Sequence, residues 1–265
     1  MNRNILAMLA AVAIATAAPA LAVGAACSAK SGTQTAALIE LYTSEGCDSC
    51  PPADRWLSGL KGSDAYAGRA VPLSLHVDYW DYIGWHDPYA QAQFSGRQHE
   101  LSNINQAHMV YTPQILLSGK DFQPGIFSRG ENLDDAVARI NRAPPRADLG
   151  LTLAGNSGRD LKVEATARLR NTAESRDAAL YLAVFENGLT SAVAAGENKG
   201  KTLKHDFVVR EWGGPFAFNS DGTLAVTRDV ALKPSWKQRD LGVALFVQNR
   251  STGEVLQALQ LAACN

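Results

Sequence analysis

Cys47 and Cys50 are separated by only Asp48 and Ser49. Two thiols at this spacing can close into a disulfide, ligate a soft metal, or exchange with another disulfide. The flanking residues narrow the choice. Ala36 to Tyr42 (AALIELY) is an apolar run that ends in Thr43-Ser44-Glu45-Gly46, which reads as a buried strand entering a turn just before Cys47. After Cys50, Pro51-Pro52-Ala53-Asp54-Arg55-Trp56-Leu57 has its prolines where a first helical turn accepts them. A helix starting there turns its unpaired N–H groups and the positive end of its dipole toward Cys47, favouring the thiolate. Cys47 is therefore the candidate attacking thiol. Cys50, one turn on, is the candidate resolving thiol. Glu45, Asp48 and Asp54 oppose thiolate formation, so the direction of exchange stays open.

Two other uses of the cysteines compete with exchange. Copper or zinc could be held by both thiolates. The five histidines (His76, His86, His99, His108 and His205) show no tight ligand spacing to one another or to the cysteines, and the expectation is no metal and no cofactor. Alternatively the Cys47–Cys50 bridge is structural, and the chain is a binding module with its surface in the C-terminal part. The remaining cysteines, Cys27 and Cys264, lie near the two ends. An intramolecular pair would staple the ends together; free thiols or an intermolecular bridge are the alternatives.

Composition bounds the partners. The 265 residues are 46% hydrophobic and 19% charged with net charge −1, which suits a folded globular chain and gives nucleic acid no basic face. Residues 1–22 read as a signal peptide: Arg3, an apolar run from Ile5 to Ala18 broken only by Thr16, then Pro19-Ala20-Leu21-Ala22 as a small-residue cleavage site. No later stretch is long and apolar enough to span a bilayer, so no stable membrane span is expected after cleavage. The expected location is periplasmic or secreted.

The elements that must hold the dithiol follow from periodicity. Val71 to Val77 reads as a second strand, and Asp87-Pro88 as the opening of a helix to about Asn105, with Asp87 as its N-cap. Gln114 to Leu117 reads as a strand entered through Pro113, with another short strand near Ile126 and Phe127. Leu133 to Ile140 is an amphipathic helix. This alternation predicts an α/β layer over residues 23–143. Ala143-Pro144-Pro145-Arg146 reads as a linker. Beyond it, Leu161 to Leu169 alternates strictly, Asn187-Gly188 sits between two apolar runs as a hairpin signal, and Leu241 to Val247 reads as a late strand. Residues 144–265 are thus expected to form a separate all-β, antiparallel, sandwich-like domain.

The stretches Glu40 to Asp54 (ELYTSEGCDSCPPAD), His76 to Trp85 (HVDYWDYIGW) and Tyr111 to Gln114 (YTPQ) resemble a family of exported bacterial proteins of unknown function, the DUF1223 type. The resemblance spans nearly the whole chain after the signal peptide and implies a thioredoxin-like fold for the first part. It also implies that Thr112-Pro113 is a cis-proline element beside the dithiol that orients an extended substrate. Asp78, Tyr79, Trp80 and Trp85 would border Cys47 at the same sheet edge. Tyr79, Trp80 and Trp85 are candidate substrate-binding residues, or else a packed loop that buries its rings. The expected function is thiol–disulfide exchange by Cys47 and Cys50, with an unidentified protein client or redox partner.

Overall fold

The computed structural model describes residues 26–107, 109–125, 130–156 and 160–264. The expected signal peptide, His108 and the strand expected near Ile126 and Phe127 lie outside the described residues.

Strand β1 (Ala26–Lys30) precedes β2 (Ala37–Thr43), and a turn carries the chain from β2 into helix α1 (Pro51–Ser58). Strand β3 (Ala70–His76), helix α2 (Ala92–Ile104), strands β4 (Gln114–Leu117) and β5 (Lys120–Asp121), and helix α3 (Leu133–Asn141) follow. The remainder is β: β6 (Ala147–Asn156), β7 (Asp160–Leu169), β8 (Ala178–Glu186), β9 (Leu189–Ala192), β10 (Thr202–His205), β11 (Val208–Ala217), β12 (Thr223–Ala231), β13 (Leu241–Asn249) and β14 (Val255–Ala262).

The expected division into a thioredoxin-like α/β domain and a separate β-domain is not what the chain builds. The described residues are mostly β, with only three α-helices. One eight-stranded mixed sheet, ordered β14-β13-β8-β11-β3-β2-β4-β5, unites strands from both halves. The physical reason lies in β3. All seven of its residues are buried, and β2 covers only one of its edges. An unpaired edge inside a core would leave N–H and C=O groups without partners, so the other edge must be closed. β11 closes it, running parallel to β3 with Val208 opposite Ser74, while the Ser74 N–H donates to the Phe207 carbonyl (2.8 Å).

A second sheet, ordered β1-β6-β7-β12, packs on the same large sheet. β8 shows how. Leu180, Leu182 and Val184 join Leu151, Leu153 and Val163 in one core. On its other face Ala179, Tyr181, Ala183 and Phe185 share the core of β2, β3 and the helices. A strand buried on both faces loses polar alternation, as β8 does. β7 keeps one face outward and alternates strictly.

Two local expectations also change. Asn187-Gly188 turns the chain, with Gly188 at φ +65, but β8 and β9 do not form a hairpin. The Asn187 side chain accepts from the Phe207 N–H, and β9 pairs instead with β10. Likewise α2 begins at Ala92 rather than at Asp87. The Asp87 Oδ2 accepts from the interior, from His76 and the Glu45 N–H, and its Oδ1 from the Tyr89 N–H, so the carboxylate fixes the turn before α2 and Gln91 takes the cap position.

Cys27 and Cys264 form a disulfide across a sequence separation of 237 residues. It joins β1 of one sheet to the tail after β14 of the other. By the chain-entropy model, a loop this long constrains the unfolded chain by about 5 kcal/mol, with less often realised. The Cys27→Ser/Cys264→Ser double variant is expected to lose about 2–5 kcal/mol in urea denaturation. An unchanged midpoint would show that the sheets need no staple.

Candidate functional site

The turn after β2 and the start of α1 carry the dithiol. Cys47 and Cys50 are bonded to each other, and both are fully buried. Cys50 caps α1 in helical conformation, its carbonyl accepting from the Ala53 and Asp54 N–H groups (2.9 and 3.1 Å). The Ser49 hydroxyl donates to Cys47 Sγ (3.3 Å). A hydroxyl at that distance and a helix N-terminus both favour negative charge on Cys47 once the bond is reduced.

The register of β4 against β2 places Gln114 opposite Tyr42, so Thr112 and Pro113 stand at the sheet edge from which the Cys47 turn departs. The Thr112–Pro113 bond is cis. Pro113 and Ala53 of α1 line a shared, mostly apolar cavity with Tyr111, Ile115 and Phe122.

Tyr79, Trp80 and Trp85 each turn their polar atom inward. The Tyr79 hydroxyl donates to Gln98 Oε1 (3.1 Å), Trp80 Nε1–H to Thr112 Oγ1 (2.7 Å), and Trp85 Nε1–H to Glu45 Oε2 (2.9 Å). Each remains half-buried. The three rings therefore brace the proline loop and the Cys47 turn. Gly46 permits the approach: a Cβ there would stand 3.0 Å from Trp80 Cβ. The large hydrophobic side chains that do reach solvent nearby are Tyr82 and Met109.

A lid over the turn comes from the far half of the chain. The Asn198 side-chain amide, fully buried, donates to the Glu45 and Cys47 carbonyls (2.9 and 2.8 Å). Glu197 Oε2 accepts from the exposed Asp48 N–H (3.0 Å). These residues lie in the loop between β9 and β10. At Gly196, φ is +72 and the backbone passes against Ile83 and Trp85.

Beneath the disulfide lies a buried ionic cluster. His76, in register with Thr43, donates from Nδ1 to Asp87 Oδ2 (2.7 Å). Burial opposes charge on His76, but Asp87, then Asp54 and Glu45, outweigh it and push its pKa up. Burial likewise opposes ionised Asp87, yet His76 and the Glu45 and Tyr89 N–H groups hold its carboxyl below the usual carboxylate range. Both shifts favour the charged form of the pair. His205 of β10 contacts Glu45 Oε1 through Nε2 (3.1 Å), and its Nδ1 lies 3.9 Å from Asp54 Oδ2. Burial pushes the Asp54 carboxyl up, only partly offset by His205 and His76.

Of these groups, the sequence marks Glu45 and Asp54 as acidic neighbours of Cys47 and Asp87 as a helix cap, and gives His76 only as one of five histidines without tight ligand spacing. His205 stands among the same five histidines and Asn198 in the polar stretch Glu197 to Lys201, and no spacing in the sequence ties either to the Cys47 turn. Among the described residues, no three His, Cys, Asp or Glu side chains are arranged to hold a metal ion. No described helix is long and apolar enough to cross a membrane.

Two solved structures share this architecture. A crystal structure of an Agrobacterium tumefaciens protein aligns at TM-score 0.60 and 24% identity, covering 88% of this chain and 97% of that one. HBP35 of Porphyromonas gingivalis aligns at TM-score 0.58 and 16% identity, covering 88% of this chain and 76% of the other. At these identities the likeness concerns fold alone. No curated protein matches the chain. The model of a family described as protein of unknown function, DUF1223, matches residues 38–248, from the second residue of β2 to the penultimate residue of β13, and the chain belongs to that family.

Proposed function

We propose that Cys47 and Cys50 form a redox-active pair that exchanges with a disulfide or dithiol of a protein client outside the cytoplasm. The observation that carries this reading is the placement of the disulfide at the start of α1, with the Ser49 hydroxyl on Cys47 Sγ and the Thr112-Pro113 edge beside it. In the reduced protein, Cys47 attacks the client disulfide. The Cys50 thiolate then attacks Cys47 Sγ and releases the client as its dithiol. Full burial of both sulfurs adds a requirement: the loop carrying Glu197 and Asn198 moves off the Cys47 turn before a client can reach it.

That same burial favours a second reading, in which the bridge is structural. The reduction potential separates the two. Equilibration of the protein in glutathione buffers, with free thiols counted, is expected to give a value between about −120 and −270 mV, the range of working exchangers. A value well below about −300 mV, or no reduction, makes the bridge structural.

A further inference from the structure

We propose that the tip of the β9–β10 ribbon is a latch that sets access to the dithiol, with Asn198 as its catch and Lys201 as the residue that orients the catch. The latch regulates the exchange site proposed above and rests on that reading.

The ribbon stands apart from the rest of the fold. β9 and β10 are four-residue strands that pair only with each other and join neither large sheet. Two strands alone are marginal in water, so contacts with the body decide where such a ribbon rests. Its strands are well seated. Leu189, Val193 and Leu203 are buried, the Ser191 hydroxyl donates to the Tyr89 hydroxyl, and His205 meets Glu45. The tip has no comparable anchor. From Ala194 to Gly200 the only buried side chain is Asn198, and the apolar residues are the small Ala194 and Ala195.

The tip is also closed on itself. The Lys199 N–H donates to the Gly196 carbonyl (3.2 Å), the Gly200 N–H to Val193 (2.8 Å) and the Lys201 N–H to Asn198 (3.0 Å). These bonds survive if the tip lifts as a unit. What holds it down is polar: the two bonds from the Asn198 amide to the Glu45 and Cys47 carbonyls, and the Asp48 N–H on Glu197. Lys201 Nζ donates to Asn198 Oδ1 (2.8 Å), which turns the amide nitrogen toward the two carbonyls. An amide turned the other way would set oxygen against oxygen.

When the tip lifts, water replaces each of these bonds and little apolar surface is exposed. Closed and open states then differ by a few net hydrogen bonds, each worth far less than its gross strength. Both sulfurs are fully buried in the closed state, so the rate at which a thiol reaches Cys47 scales with the open fraction.

The test treats the oxidised full chain with dithiothreitol under native conditions and reads the initial reduction rate of each disulfide, by quenched alkylation and mass spectrometry. Cys27–Cys264, partly exposed and joining β1 to the tail after β14, is the internal reference. Asn198→Ala removes two bonds and is expected to speed reduction of Cys47–Cys50 about 30-fold, with Cys27–Cys264 within about twofold of wild type. Lys201→Met keeps Asn198 but frees its amide, and is expected to speed the same bond about fivefold. Wild-type rates at Cys47–Cys50 in both variants overturn the latch. Equal acceleration of both disulfides overturns it too, because that reports a loosened fold. The equilibrium potential of Cys47–Cys50 is a separate measurement. A potential below the range of working exchangers overturns the exchange reading whatever the rates, and unchanged rates overturn the latch whatever the potential.

Discussion

Cys47→Ser is expected to abolish disulfide exchange, whereas Cys50→Ser is expected to accumulate the mixed disulfide with its client. The asymmetry follows from position. Cys47 precedes the helix in the turn, with the Ser49 hydroxyl on its sulfur, while Cys50 caps α1 and is held there by two backbone hydrogen bonds to its carbonyl. A serine hydroxyl at position 47 does not ionise near neutral pH, so no nucleophile remains. A serine at position 50 leaves the first attack intact and removes the second. Non-reducing electrophoresis of each variant after incubation with an oxidised substrate reads both outcomes. If neither variant alters turnover in a disulfide-reduction assay, Cys47 and Cys50 are not the exchanging pair.

The largest loss of stability is expected from Arg97→Ala. Arg97 of α2 donates from Nε and Nη2 to the two Glu40 carboxylate oxygens of β2 (2.7 and 3.1 Å) and from Nη2 to Gln248 of β13 (3.0 Å). Its guanidinium also lies over the rings of Tyr181, Trp212 and Phe246. Glu40 is fully buried and Arg97 nearly so. Burial opposes charge on Arg97, but Glu40 outweighs it and drives the pKa further up. Removing the cation strands a carboxylate in the core, which costs about 3–5 kcal/mol. The Glu40→Leu/Arg97→Met double variant is expected to recover most of that loss, because it removes both charges. Urea denaturation of the three proteins checks this. A single-variant loss below about 1 kcal/mol would mean that water reaches Glu40.

Gln248 makes this contact more than a local matter, because it brings a residue from the C-terminal half onto an ion pair of the first 100 residues. That is also where sequence reading stopped. The apolar run over Ala37–Thr43, the prolines opening Pro51–Ser58 and the amphipathic face of Leu133–Asn141 are local patterns, each settled by residues within a turn or two of one another. Val208 beside Ser74 is not such a pattern. A fully buried strand such as β3 carries no mark of which segment will close its second edge, so residues 23–143 read as a layer complete in itself.

The sequence by itself determined the dithiol at a strand–turn–helix junction, the proline strand entry at Pro113, the positions of most helices and strands, and the alternation of β7. The tertiary structure decided the single mixed sheet, the inward turn of Trp80 and Trp85, the lid made by Asn198, and the His205 contact with Glu45. The physical reason is range. Periodicity and turn preferences act between near neighbours, whereas Asn198 meets the Cys47 carbonyl across 151 positions and His205 meets Glu45 across 160. Contacts at that distance are selected by the need to pair buried edges and buried charges, and only the folded chain reveals which groups meet.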